Sequence, residues 1–476
     1  MDFSSLWSKN LLQMVRRSAF APIDIASLVF FRITFGLLAL WHISPLFAHD
    51  SIRRFWMEPR FLFKYYGFSW ITPWPDDGLY VHCVVLAIAA SLISVGFLYR
   101  FSASLFFLGY TYLFLLDEGR YQNHDYLICL FSFLLVFVPA NRAFSLDALF
   151  DRKLHAQTAP AWALWLLRAQ MAVVYFYGGI AKINPDWLRG EPMRSELTQH
   201  FDFPIIGRFF NGEWAVYLMS YGSLLLDLFV VPFLLWRRTR VTAFCVAVLF
   251  HLMNARLFAM GVGVFPWLAI AATTLFFSSD WPRRAISLFG RGNTVPLTTN
   301  TQAPPNRAAQ LLTLSFVTVY LAIQILIPLT PFLFPGGSEW SLMQHRFCWR
   351  MMLRSQSIQG SFYVTDPNND RTYRVSPATF LSPLQVRRTY WLPDNVVQFA
   401  HYLAKVMPKA GPKPLRVEAR IFESINGRRP ELLVDPKVDF AAESRPLMRP
   451  RWLLPTHEPL PPPGKDFSRD LYGSPL

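Results

Sequence analysis

Charge is what this 476-residue chain has little of: Asp, Glu, Lys and Arg together make up 16% of it, against roughly a quarter in soluble domains. Hydrophobic residues reach 53%, aromatic residues 16%, and mean hydropathy is +0.26. A soluble enzyme is thereby excluded and a polytopic membrane protein implied. Acidic side chains are scarcer still, 31 against 46 Lys and Arg, which leaves a formal charge of +15. In a soluble domain that excess would point to nucleic acid. Here much of it sits in short loops between apolar runs, the signature of membrane orientation, so no nucleic-acid partner is expected. Cysteine is sparse too. Cys83, Cys129, Cys245 and Cys348, three of them inside apolar runs, show no metal-ligand spacing, so neither a disulfide framework nor a metal site is expected. A cleavable signal peptide is not visible. The start, MDFSSLWSKNLLQMVRR, is amphipathic and leads into a span too long for an h-region, so the first transmembrane helix is expected to act as the insertion signal.

What is there in quantity is apolar sequence. Nine runs are readable, at 25–48, 79–99, 101–117, 124–140, 160–182, 213–236, 241–258, 262–278 and 309–334. The third, fourth and eighth are short, which predicts tilted, partly re-entrant or register-shifted segments. The expected fold is therefore a polytopic α-helical membrane protein of about nine spans with a small C-terminal α+β extramembrane domain. Its expected parts are a cytoplasmic amphipathic N-terminus (1–24), a transmembrane catalytic domain (25–334), an outward-facing α+β domain (335–443) and a Pro-rich, disordered tail (444–476). The loops on the side of the N-terminus hold Lys9, Arg16, Arg17, Arg100, Arg142, Arg152, Lys153, Arg237, Arg238, Arg240, Arg283, Arg284, Arg291 and Arg307, a bias that favours a cytoplasmic N-terminus. RRFWMEPRFLFK, after the first run, is an exception. Arginine outnumbers lysine about fourfold, pointing to a GC-rich bacterial genome and so to a bacterial inner membrane, or the endoplasmic reticulum membrane if the source is eukaryotic.

The stretch AWALWLLRAQMAVVYFYGGIAKINPDW (161–187) carries the chemistry. Over about 20 apolar residues it holds Arg168 and then ends in Lys182 at the membrane boundary. A lysine there is either a snorkelling anchor or part of a polar pocket. Gly178 and Gly179, which admit a neighbouring helix, and Tyr175, Tyr177, Gln170 and Arg168, which need polar partners, favour the pocket. With the N-terminus inside, three outward ends share one depth. They bear Asn123, His124 and Asp125 at the start of the fourth run, Lys182 at the end of the fifth, and His251, Met253 and Asn254 at the end of the seventh. Ionisable residues gathered inside a membrane mark a functional site.

Beyond the last run the pattern changes to GSFYVTD-PNND-RTYRV, a hairpin. A helix follows in DNVVQFAHYLAKVM, with Asp394 as its cap and Val396, Phe399, Leu403 and Met407 as its stripe. LRVEARIFESI alternates as a strand.

Several stretches, FRITFGLLAL, LD…NHDYL, RAQMAVVYFYGGIAKINPDW, LLLDLFVVPFLL, HLMNARLFAMG, FSSDWPRR, FCWRMMLRSQ and DPKVDF, occur in an order that resembles the vitamin K-dependent gamma-glutamyl carboxylase family and its bacterial transmembrane relatives, over roughly residues 25–443. The resemblance implies an enzyme that couples oxidation of vitamin K hydroquinone by O2 to gamma-carboxylation of glutamyl residues, with CO2 as carboxyl donor and no metal. The lysine in GGIAKINPDW implies Lys182 as catalytic base, the NH pair His124, and the HxMN pattern His251 and Asn254. Asn123, Gln170, Tyr175 and Met253 would line the quinone site. Trp349, Met351 and Met352 match the family's glutamate-binding region, within 345–355, and Arg350 and Arg354 could pair with substrate carboxylates, although Arg350 stands where the animal pattern has an acid and Arg354 near where it has a histidine. Lys182 must be neutral to deprotonate the hydroquinone, and an apolar site favours that form of an amine. The implied partners are a glutamyl peptide or protein, the lipid membrane and a quinone-reducing enzyme. Two other readings stay open: a hydroquinone epoxidase that carboxylates no protein, and a transporter or non-catalytic quinone-binding protein using intramembrane charges such as Arg32 and Asp227.

Overall fold

A computed structural model describes residues 12–200, 202–203, 206–258, 262–289, 305–333, 343 and 345–472. The first eleven residues of the expected amphipathic N-terminus, and the start of the expected outer domain up to 342, lie outside the described residues. Each of the nine apolar runs contains one principal helix: α1 (Ala26–Ile43), α2 (Gly78–Val95), α3 (Tyr99–Leu116), α4 (Asn123–Phe137), α5 (Ala161–Ala181), α6 (Glu213–Leu235), α7 (Arg240–Leu257), α8 (Phe265–Thr273) and α9 (Arg307–Leu326). Six of these, α1, α2, α5, α6, α7 and α9, are long and apolar enough to cross a membrane. The other three are the runs whose sequences are short. α4 has 15 residues and opens with Asn123-His124-Asp125, α8 has nine before a 3-10 turn to Phe276, and α3 spends its length on Arg100, two serines and two tyrosines after Tyr99.

Helix ends sort into two layers. At one, β1 (Pro22–Asp24) pairs antiparallel with β2 (Thr158–Pro160) just before α1 and α5 begin. In the same layer Tyr99 Oη donates to Leu135 O at 2.8 Å, Arg32 donates to Ala140 O at 2.9 Å, and Arg168 donates to Leu275 O at 2.7 Å and Phe277 O at 2.8 Å. These guanidiniums satisfy carbonyls that α4 and α8 leave unpaired where they stop. Between the layers Phe31, Phe35, Phe106, Phe131, Leu167 and Met171 are almost wholly buried. In lipid such helices cohere through close packing rather than expulsion of water.

The outer domain is a four-stranded antiparallel sheet, order β4-β3-β5-β6, built from β3 (Gln356–Asp366), β4 (Arg371–Val375), β5 (Arg416–Ile425) and β6 (Glu431–Leu432). Alternation buries Phe362 and Val364 on β3 and Val417, Ala419 and Ile421 on β5. Helices α10 (Pro383–Trp391) and α11 (Pro393–Val406) supply the rest, with Val396, Phe399 and Leu403 as a buried stripe.

Three expectations need correction. Asp394 does not cap α11: Leu392 holds the cap position and Pro393 the first turn, while the Asp394 carboxylate accepts from Arg445 Nε at 2.8 Å and Gln398 Nε2 at 2.8 Å. Residues 444–472 are not a disordered tail. Trp452 and Leu453 are buried with Phe440, Leu454 N donates to Leu433 O at 3.0 Å, and Phe467 N donates to Gly427 O at 2.9 Å. Their apolar side chains dock while the prolines between them, which lack N–H groups, run extended. The basic loop after α1 belongs to the outer domain. Phe63 sits in that domain's core, Arg60 N donates to Phe380 O at 3.0 Å, and Lys64 N donates to Gln398 Oε1 at 2.8 Å. Of its cations only Lys64 is held by this packing, with Nζ donating to Ile71 O at 2.5 Å.

Candidate functional site

The motif GGIAKINPDW folds as a helix end followed by a locked turn. Lys182 is the C-cap of α5, only 6% exposed. Asn184 caps the short helix Pro185–Leu188 by accepting from Trp187 N at 3.0 Å, and its Nδ2 donates to Ala181 O at 3.0 Å. Trp187 Nε1 donates to Ser220 O on α6 at 2.8 Å, which brings its ring to 5.3 Å from the Lys182 ammonium. Asp186 receives a bidentate grip from Arg428 of the outer domain, at 2.6 and 2.8 Å, and a bond from Asn426 at 2.7 Å. Burial opposes ionisation of Asp186, but Arg428 outweighs it and holds the carboxyl below its usual range.

Lys182 donates directly to Asp227 of α6, and both are buried. The glycines explain how α6 comes so close. A Cβ on Gly179 would lie 2.7 Å from Leu228 Cδ2, and one on Gly178 3.2 Å from Asp227 Oδ2. The pair opens into an apolar cavity of about 370 Å³ whose walls include Tyr175, His251, Met253 and Asn254. Tyr175 Oη lies 2.7 Å from His251 Nε2 and 3.1 Å from Thr273 Oγ1. His251 Nδ1 is buried with no hydrogen-bond partner among the described residues, so it is a polar atom left for a ligand oxygen.

A second cavity, about 580 Å³ and polar, lies between the helices and the outer domain. It is lined by Asn123, His124, His345 and four arginines, Arg350, Arg354, Arg387 and Arg388. Burial, then Arg346 and Arg387, lowers the Arg388 guanidinium to about 10, and burial with four neighbouring arginines keeps His345 well below its ordinary range. This is a basin of excess positive charge. Val262, Phe265, Met351 and Met352 line both cavities, and the segment that carries the methionines has left-handed backbone at Phe347, Trp349 and Met352 (φ 62, 58 and 54°). Such conformations cost of order 1–3 kcal/mol each and concentrate at functional sites.

Most expected residues therefore converge: Lys182, Tyr175, His251, Met253 and Asn254 on the apolar cavity, Asn123, His124, Arg350 and Arg354 on the polar one, and Met351 and Met352 on both. Two do not. Gln170 accepts from Tyr320 of α9 at 2.6 Å and lies about 18 Å back along α5 from Lys182 at ~1.5 Å per residue. It is an interhelix tie. Trp349 is fully buried and stacks on Tyr126 at 5.2 Å, outside both linings. Arg32 and Asp227 stand in opposite layers, Arg32 against the C-terminal end of α4 and Asp227 against Lys182.

The sequence reading missed Asp227 as a site residue, although an aspartate in an apolar run is itself a signal. It also missed Arg387 and Arg388, which look like solvated charges on a surface helix. His42 was missed as a neighbour of His124, while Asp125, expected beside it, is the group that joins the two histidines. Asp125 Oδ1 accepts from Tyr110 Oη at 2.7 Å and lies 3.1 Å from His42 Nε2 and 3.6 Å from His124 Nε2. The ligand atoms of His42, His124 and Asp125 lie within 4.8 Å of one another, a spacing a metal ion could bridge.

Fold and site together define an integral membrane protein whose buried lysine–carboxylate pair lines an apolar cavity that shares a wall with a polar cavity beneath the C-terminal domain. Residues 20–281, more than half of the chain, match the HTTM domain, and residues 309–459 match the vitamin K-dependent gamma-carboxylase lumenal domain. The chain belongs to the vitamin K-dependent carboxylase family. No solved structure matches it.

Proposed function

We propose that this protein is a vitamin K-dependent carboxylase and epoxidase of the carbon–carbon lyase type. The balance is hydroquinone, O2, CO2 and a glutamyl side chain giving vitamin K epoxide, water, a gamma-carboxyglutamyl side chain and a proton. The observation that carries the reading is the wall common to the two cavities, Met351, Met352, Val262 and Phe265. A lipid-soluble reactant in the apolar cavity and a carboxylate-bearing peptide in the arginine basin would face each other across it.

The bound hydroquinone supplies the reducing equivalents and, with O2, the strong base that abstraction of a glutamyl γ proton requires. The chain's own groups prepare and confine that chemistry. Asp227 beside Lys182 gives the ammonium proton a destination other than water. With that proton on the carboxylate, the Lys182 amine can accept a hydroquinone proton. His251 Nδ1 and Asn254 orient quinone oxygens, with Tyr175 fixing the imidazole by its bond to Nε2. Arg350, Arg354, Arg387 and Arg388 hold substrate carboxylates. The apolar walls exclude water. The chain crosses the membrane about nine times, with the N-terminus cytoplasmic and the outer domain on the far side of a bacterial inner membrane, and a separate quinone-reducing enzyme regenerates the hydroquinone.

The test uses the full chain in nanodiscs with vitamin K hydroquinone, O2, labelled bicarbonate and a short glutamyl peptide, scoring epoxide and fixed label against Lys182→Ala. Both products, lost together in the variant, support the coupled reaction. Epoxide without label supports an epoxidase. Neither product over a range of quinones and peptides refutes the proposal.

A further inference from the structure

Four polar side chains from three helices converge on one spot where α1 ends and α4 begins. His42 lies in the last turn of α1, Tyr110 on α3, and His124 and Asp125 in the first turn of α4. His42 Nε2 is 3.1 Å and His124 Nε2 3.6 Å from Asp125 Oδ1, and Tyr110 Oη is 2.7 Å from both His42 Nε2 and Asp125 Oδ1. Hydrogen bonding accounts for only part of this cluster, because 3.6 Å is too long for a bond from His124, whose Nε2 nevertheless converges with the rest. Gly263 keeps that nitrogen clear, since a Cβ there would lie 2.9 Å from it. Donors held by one tetrahedral ion at ~2.0–2.1 Å stand about 3.4 Å apart, and the two histidine-to-carboxylate distances bracket that separation. The His42, His124 and Asp125 side chains are 21%, 12% and 21% exposed, so they are largely desolvated and still reachable. His124 also lines the polar cavity, which gives an ion its way in.

We propose that His42, His124 and Asp125 bind one divalent transition-metal ion, with Tyr110 Oη as the fourth donor. Two imidazoles, a carboxylate and a phenol form a nitrogen–oxygen set that suits zinc and its borderline neighbours and has too few oxygens for magnesium or calcium. None of the four is a cysteine, so cysteine spacing is silent on this site. Asp125 offsets one unit of the ion's charge, and loss of the Tyr110 proton to water as the phenolate binds offsets the other. The neighbouring Arg120 guanidinium does not take the carboxylate: it stacks on the Phe55 ring, 3.6 Å from its centroid. The bound ion ties α1, α3 and α4 together at the edge of the polar cavity and fixes the direction in which the His124 ring faces.

The experiment uses the full chain in detergent, without a polyhistidine tag. The protein is stripped with EDTA, reloaded with zinc chloride and dialysed, and its metal is counted by plasma mass spectrometry. A parallel titration replaces zinc with cobalt(II) and follows visible absorption, which reports the number of ligands. About one zinc per chain is expected, with the cobalt band of four-coordinate nitrogen–oxygen ligation. Both signals should fall at least about tenfold in His42→Ala and in Asp125→Asn, and neither should change in His401→Ala, which removes an exposed histidine of α11. Asp125→Asn keeps the size of the side chain, so it decides the matter if His42→Ala fails to fold. Wild-type uptake no greater than that of the variants, or a cobalt spectrum of the hydrated ion alone, overturns the proposal without reference to any variant's folding. Zinc that stays bound in a folded Asp125→Asn chain is an adventitious ion only and overturns it as well. No step of the assay uses a quinone or a peptide, so its failure and the failure of the carboxylase reading are separate results.

Discussion

Removing Asp227 while leaving Lys182 tests the centre of the site. Both side chains are buried, and Lys182 donates directly to the carboxylate. Truncating one partner of a buried ion pair costs about 3–5 kcal/mol, because the other charge is left uncompensated, whereas replacing both by apolar residues of similar volume is close to neutral. Asp227→Ala and Lys182→Met should therefore each lower the thermal midpoint of the detergent-solubilised protein by several degrees. Lys182→Met/Asp227→Leu should recover most of that loss, so that in a cycle closed with Lys182→Met and Asp227→Leu the double variant costs far less than the two singles added together. Activity should behave differently: epoxide formation should be abolished in the double variant as fully as in the singles. An Asp227→Ala protein as stable and as active as wild type would show that the carboxylate neither offsets the ammonium nor receives its proton. Full stability with lost activity would keep the proton role and discard the structural one.

Other outcomes follow from the remaining geometry. Arg387→Ala and Arg388→Ala should each raise KM for a glutamyl peptide about tenfold, the worth of a charge-assisted bond, and peptide titration by fluorescence anisotropy would reveal a basin that binds something else if affinity does not change. Burial pushes the Glu423 carboxyl up to about 8, with Arg354 opposing. Because its folded value lies above the ordinary ~4.3, its contribution to stability is full below about pH 4 and is lost as pH rises through 8, by at most about 5 kcal/mol. Glu423→Gln should flatten the fall in thermal midpoint between pH 5 and 8 and raise the midpoint at pH 8; a lower midpoint there would sink the argument. Arg428→Ala should increase hydrogen exchange in residues 182–188 with the fold intact, and unchanged protection would show that the Asp186 contact does not steady the turn.

The helices were legible because a hydrocarbon core demands unbroken apolar length, and the runs that fell short of it in sequence, at 101–117, 124–140 and 262–278, are the three that fall short as candidate spans. The outer hairpin and α11 were legible from period and turn chemistry. Asp394 misled because a cap and a first-turn acid look alike until the prolines are placed. The tail misled because composition hides that Trp452 and Leu453 have somewhere to go. Lys182, His251 and Asn254 were found through their motifs, but Gln170 was grouped with them by shared polarity, which ignores how far twelve residues carry a helix. Asp227, Arg387 and Arg388 reach the site only through tertiary packing, which no local spacing encodes.

Lys182 stands four residues before Asp186, and every link between them is fixed: Asn184 pins the turn to Ala181, and Asp186 is clamped by Arg428 and Asn426 at the end of β5. The lysine is thus mechanically a resident of both compartments. A torque applied to the sheet, by a long substrate strand or by a neighbouring protein, acts on the end of α5 with almost no slack. Exchanging the outer domain for a relative's would remove the Arg428 and Asn426 contacts on Asp186, and with them the tie to the end of α5, unless the clamp were rebuilt.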